Sequence, residues 1–249
     1  MLDKWLHLTN APITEAVIEF QFADSDSLEI DALQAISRLL ESKYPLEQEK
    51  KSQIIRAVIN NSVPATEYID EGTIGFIRRT EDGIKVVHLL QDRFAFSHLA
   101  PYTCWGDLEK YAFDAWNIFQ KEMGIKQLKR VGVRFLNRIE IGLPIKDFSD
   151  YLYSPPVISE KLPQAVVAFN QRIVLPNKEI EAIAIINQSL DGAEHEKNIV
   201  PVILDIDVGK IGSYEASDEN LLKILRSLRE YKNDIFFGYI TPKALEKYK

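Results

Sequence analysis

Lys129-Arg130-Val131-Gly132-Val133-Arg134-Phe135-Leu136-Asn137-Arg138-Ile139-Glu140-Ile141 alternates at period two, the spacing of a β-strand with one buried face. Val131, Val133, Phe135, Ile139 and Ile141 fall on one side. Arg130, Arg134 and Arg138 share the other with Leu136 and Glu140, a cationic stripe in a chain whose formal net charge is -7. A strand with one apolar face belongs in an antiparallel sheet with helices packed on that face.

The flanking sequence supplies both. Glu15–Phe22 alternates with Ala16, Ile18, Phe20 and Phe22 on one face. Asp24-Ser25-Asp26-Ser27 is an N-cap cluster, and Leu28, Ile30, Leu33, Ile36, Leu39 and Leu40 then recur at helical spacing up to Tyr44-Pro45. Residues 53–60, 73–80, 84–90 and 93–99 read as a meander of short strands, with Glu81-Asp82-Gly83 as a hairpin turn. A second helix over 105–123 carries Leu108, Ala112, Ala115, Trp116 and Phe119 on one stripe, and Gly124 closes it.

After the arginine strand the pattern starts again. It predicts a short helix over 146–153, strands over 165–175, 179–188 and 200–208, a helix from Ser217 to about Tyr231, and a last strand over 235–240. Residues 92–101 and 233–242 echo each other, and Leu-Glu-Lys-Tyr follows each, at 108–111 and 245–248. Strands in antiparallel groups, rather than alternating singly with helices, indicate an α+β fold: a curved antiparallel sheet, or two, with helices packed on one face. The repeated order suggests two similar strand-helix-meander-helix halves, 1–125 and 126–249, either joined or merged into one continuous domain.

Composition narrows the function classes. At 249 residues with 46% hydrophobic and 27% charged side chains, the chain can bury a full core. The sole cysteine, Cys104, cannot form an intramolecular disulfide, and the opening residues lack the apolar core of a signal peptide, so the cytoplasm is the expected location. No run approaches the roughly 18 apolar residues of a membrane helix. A pI near 5.3 disfavours a generic nucleic-acid binder.

Catalytic signatures are absent. There is no Gly-Lys-Ser or Gly-Lys-Thr phosphate loop, no Gly-x-Ser-x-Gly, and no histidine pair at metal-ligand spacing, so neither a metal nor a cofactor is expected. Cys104 beside Trp105 reads as structural. Asp205 and Asp207 share a strand face at a spacing that could hold Mg²⁺ or face the arginines. Two readings of Arg130, Arg134 and Arg138 stay open. They form a cross-strand ladder with Asp205, Asp207, Glu15 or Glu19, or they form an anion site, because guanidinium forks bind phosphate bidentately. The aromatic run 94–119 reads as core.

Four segments carry a family resemblance: Ala-Pro-Ile-Thr-Glu-Ala-Val-Ile-Glu-Phe at 11–20, Asp-Arg-Phe-Ala-Phe-Ser at 92–97 with Pro-Tyr and Trp at 101–105, Arg-Val-Gly-Val-Arg-Phe-Leu-Asn-Arg-Ile at 130–139, and Asn-Asp-Ile-Phe-Phe-Gly-Tyr-Ile-Thr at 233–241. In this order they resemble a group of sporadically distributed, uncharacterised prokaryotic proteins of about this length. The resemblance implies no catalytic residues, cofactor or substrate; sporadic distribution implies an accessory or defence-related role. The expected function is therefore a non-enzymatic interaction or regulatory module, pairing through strand edges and aromatic ends with a protein partner or a second copy. The alternative is a phosphate- or nucleotide-binding protein, or a phosphotransfer enzyme, using the arginine face.

Overall fold

The computed structural model describes residues 5–22, 28–60 and 63–249, with the side chains of all but 54–60, 63–71 and 195. The Asp24–Ser27 cluster lies outside the described residues. The strands are β1 (Ile13–Gln21), β2 (Leu46–Asn60), β3 (Val63–Arg79), β4 (Lys85–Leu90), β5 (Arg93–Leu99), β6 (Gln127–Gly142), β7 (Asn170–Asn177), β8 (Ala182–Leu190) and β9 (Ile199–Glu215). The helices are α1 (Ile30–Leu39), α2 (Trp105–Met123), α3 (Asp218–Tyr239) and α4 (Pro242–Leu245).

All nine strands form one open sheet in the order β2-β3-β4-β5-β1-β6-β9-β8-β7, and every neighbouring pair is antiparallel. The fold is α+β with a curved sheet. β1 and β6 pair at its centre, Ile18 opposite Val133 and Phe20 opposite Val131. Outward from that seam the connectivity repeats: β1 is followed by β5, β4 and β3, and β6 by β9, β8 and β7. A helix follows each inner meander strand, α2 after β5 and α3 after β9. Residues 1–125 and 126–249 thus contribute to one sheet.

Alternation decides which face the helices cover. Ala16, Ile18, Phe20 and Phe22 are fully buried, as are Val131, Ile139 and Ile141. Phe20 sits edge-on to Trp116 of α2 at 4.7 Å between ring centroids, and Phe94 is 5.5 Å from Phe119. The aromatic run is core, as its spacing predicts. Gly124 ends α2 with φ of 64°, a left-handed conformation that its lack of a Cβ permits.

Several boundaries differ from expectation. Residues 146–153 hold only a 3₁₀ turn, Phe148–Asp150. β7 starts at Asn170 and β8 at Ala182, later than the pattern predicts, while β9 runs on to Glu215. The expected strand over 235–240 is the last turn of α3, and its end is held by a bridge between Ile240 and Leu152 rather than by the sheet. The aromatic run Phe236-Phe237 favours a strand locally, but Ile235 and Phe236 continue the stripe of Leu221, Leu225 and Leu228, and burying that stripe wins. The echoing segments 92–101 and 233–242 consequently fall on β5 and on the end of α3, which are not equivalent positions. Near the chain ends, the Asn10 amide donates to the Tyr248 carbonyl at 3.1 Å.

Candidate functional site

The three arginines of β6 project from the face opposite the helices and reach diagonally along the sheet. Arg134 is paired in register with Asp207, but its Nε and Nη2 donate to both oxygens of Asp205 at 2.8 Å, which holds the guanidinium above its ordinary pKa. Asn187 of β8 also donates to Asp205, at 3.2 Å. Arg130 donates to Glu19 of β1 at 2.6 Å and to Asp207 of β9 at 2.5 Å. Burial pushes the Asp207 carboxyl up, and Arg130 opposes that shift. Arg138 bonds to Glu140 at 2.7 Å and to Glu194.

A pair of glycines seats Arg130. Gly132 and Gly209 lie opposite each other on β6 and β9, and a Cβ on Gly209 would stand 2.7 Å from the Arg130 Nη2. A Cβ on Gly132 would collide with the same guanidinium. With no side chain at either position, the Arg130 head lies flat on the backbone and reaches the carboxylates of two different strands. The cross-strand ladder is therefore present, and Asp205 and Asp207 serve as its acidic side. Among the described residues, no group of three or more His, Cys, Asp or Glu gathers at metal-holding geometry.

The same face is concave. A cleft of about 770 Å³ runs across it from Ile74 of β3 to Ile185 of β8. Arg130 and Arg134 line it; Arg138 stands outside, tied to Glu194 of the loop before β9. Among the lining residues Glu15, Glu19, Asp92 and Asp207 stand against Arg93, Arg130 and Arg134, so the cleft carries no cationic surplus. Arg93 is itself bound to Asp92 at 2.7 Å and Glu19 at 3.0 Å. Burial holds the His88 imidazole below its usual pKa, which favours its neutral form. Val17, Ile74, Ala95 and Ile185 fill the floor between the charges.

A second pocket, of about 270 Å³, lies on the helix side, where α3 and the segment before α2 meet the N-terminal residues 5–13. Trp5 stacks on Phe237 at 5.0 Å, and Tyr102, Trp105 and Phe135 complete an aromatic wall. Asn137 of β6 is 2% exposed and donates to the carbonyls of Phe135 and Leu204 at 3.2 and 3.0 Å. Lys232 of α3 is 8% exposed, and its Nζ sits 4.0 Å above the Phe135 ring. Burial, reinforced by Arg229, lowers the Lys232 pKa to about 7. Cys104 is exposed here, at the N-cap of α2.

Lys232 escapes a reading of the sequence that ends the helix at Tyr231, eight residues short of its end at Tyr239. The signal is nevertheless there: Leu221, Leu225 and Leu228 mark a stripe whose next position is Lys232. No family model and no curated protein matches the chain. Geometry and chemistry therefore carry the functional reading.

Proposed function

We propose that the protein is a non-enzymatic interaction module of the cytoplasm whose concave sheet face receives an extended segment of a protein partner. One observation carries the reading. The cleft is large enough for a ligand, within the roughly 300–1,000 Å³ of typical binding sites, yet its three arginines are already bound to Glu19, Asp92, Asp205 and Asp207. Guanidiniums already held by carboxylates have little left to offer a phosphoryl group, which argues against arginine-driven phosphotransfer. A surface of paired charges over an apolar floor instead presents fixed donors and acceptors to a partner of mixed charge. The balance between acidic and basic groups also argues against a polyanion. The repeated connectivity on either side of β1 and β6 supports an ancient duplication, which would place the cleft across the junction of the two copies.

Site-specific photocrosslinking tests this. With the crosslinker at Val17 or Ile185, both in the cleft, one partner segment is expected from both positions and none from Lys223 on the exposed side of α3. Equal capture at Lys223, or no discrete product at all, removes the proposal.

A second reading rests on Arg134, whose side chain stays 51% exposed despite its Asp205 partner. It could hold a phosphate-bearing ligand. A ligand at about 100 times its Kd stabilises by roughly 2.7 kcal/mol. Pyrophosphate or a nucleotide that raises Tm in the wild type, but not in Arg134→Ala of equal intrinsic Tm, would establish this reading over the first.

A further inference from the structure

We propose that the pocket around Lys232 binds a small organic carboxylate with an aromatic body. The pocket is a different site from the cleft, on the opposite layer of the molecule, and stands or falls independently of it. Four observations carry the assignment.

Lys232 occupies a position that packing alone would give to Leu or Met, on the buried stripe of α3, and a buried ammonium without a counter-charge is costly. Its ring contact with Phe135 replaces only part of the lost hydration. Among the described residues Lys232 has no ion pair and no hydrogen bond, and no Asp or Glu lines the pocket, although Arg229 lines it as well. The nearest acidic side chains on α2 are engaged elsewhere, Glu109 by the Trp105 indole at 2.8 Å and Asp107 by Thr103 at 2.7 Å. Lys232 thus faces a cavity in which no described carboxylate answers its charge.

The walls specify what carries that anion. Trp5, stacked on Phe237, forms an apolar wall with Tyr102 and Phe135, and about 270 Å³ admits a body of one or two rings. A monoanionic carboxylate needs one ammonium and an amide or two. A phosphate would bring a second charge, with its larger desolvation cost, against walls that are largely aromatic. The depressed Lys232 pKa adds a signature, because a bound carboxylate stabilises the ammonium and draws in a proton.

Calorimetric titration of the full chain tests the assignment, with benzoate, phenylacetate and indole-3-acetate as probes, phenylacetamide as the neutral isostere and inorganic phosphate as a bare anion. A charge-assisted bond predicts that phenylacetate binds at least about tenfold tighter than its amide. Lys232→Met should abolish saturable binding while keeping or raising Tm, and Lys232→Arg should restore part of it. Run at pH 8 in buffers of different ionisation enthalpy, the wild type should take up a proton on binding and Lys232→Met should not. This control separates Lys232 from the other titratable or charged groups at the pocket: Arg229 on the same helix, Tyr102 and Cys104 before α2, and His7 in the N-terminal segment. Equal affinity for acid and amide, binding unchanged in Lys232→Met, no saturable binding of any carboxylate, or binding of phosphate alone would each overturn the proposal.

Discussion

Lys232 is where one side chain departs furthest from what its surroundings favour, and pH exposes the cost. Its folded pKa of about 7 lies below the ordinary lysine value of 10.5, so between those values the unfolded chain holds a proton that the native state has released. Stability therefore rises with pH across that window, and below pH 7 the full penalty is present. A depression of this size corresponds to a few kcal/mol, on the order of 1.4 kcal/mol per pH unit. Lys232→Met should accordingly exceed the wild type in urea midpoint by most at pH 6, with the gap narrowing toward pH 10. A constant gap would show that the ammonium is not the cause. The arginine stripe is the opposite case. Alternation in 129–141 places Arg130, Arg134 and Arg138 on the correct face and makes Asp205 and Asp207, about seventy positions away, candidate partners for the first two. Only the register between β6 and β9 decides between the ladder and an open anion site, so the stripe was legible and its pairing was not.

At the scale of elements, a single cation ties α1, the turn after it and the start of β2 to β3. Arg78 of β3, 4% exposed, donates from Nε to Ser37 of α1 at 2.7 Å and from Nη1 to the Tyr44 carbonyl at 3.1 Å, and pairs with Glu47 at 2.8 Å. From the sequence Arg78 counts only as one more basic residue on a proposed strand. Removing one member of such a buried pair typically costs about 3–5 kcal/mol. Arg78→Ala should lose stability of that order in urea denaturation, whereas Arg134→Ala, half exposed, should lose about 1 kcal/mol or less. Equal losses would mean that Arg78 does not hold this segment. Elements were legible where one force dominated. α2 and β1 match their predicted spans closely because stripe, cap and alternation agree. The end of α3 was misread because aromatic residues favour strands locally while the buried stripe is settled by the sheet beneath it.

At the scale of the molecule, nine strands of alternating direction hold 1–125 and 126–249 together along the seam of β1 and β6. Strand order could not be read from local pattern, since a meander specifies its own neighbours but not which of its strands meets another meander. The Asn10 amide bonded to the Tyr248 carbonyl has a consequence for the chain as a topological object. The path near Asn10 and the path near Tyr248 arrive at one place, so the described residues are close to a ring with an arbitrary cut. Joining the ends and reopening the chain after Gly124, whose left-handed turn is exposed, would present the second half first and leave every strand pairing unchanged. Such a permuted chain should melt in one transition with the wild-type circular dichroism spectrum. Separate transitions, or failure to fold, would show instead that the first half must form before the second can dock, giving the chain a direction that its finished architecture does not display.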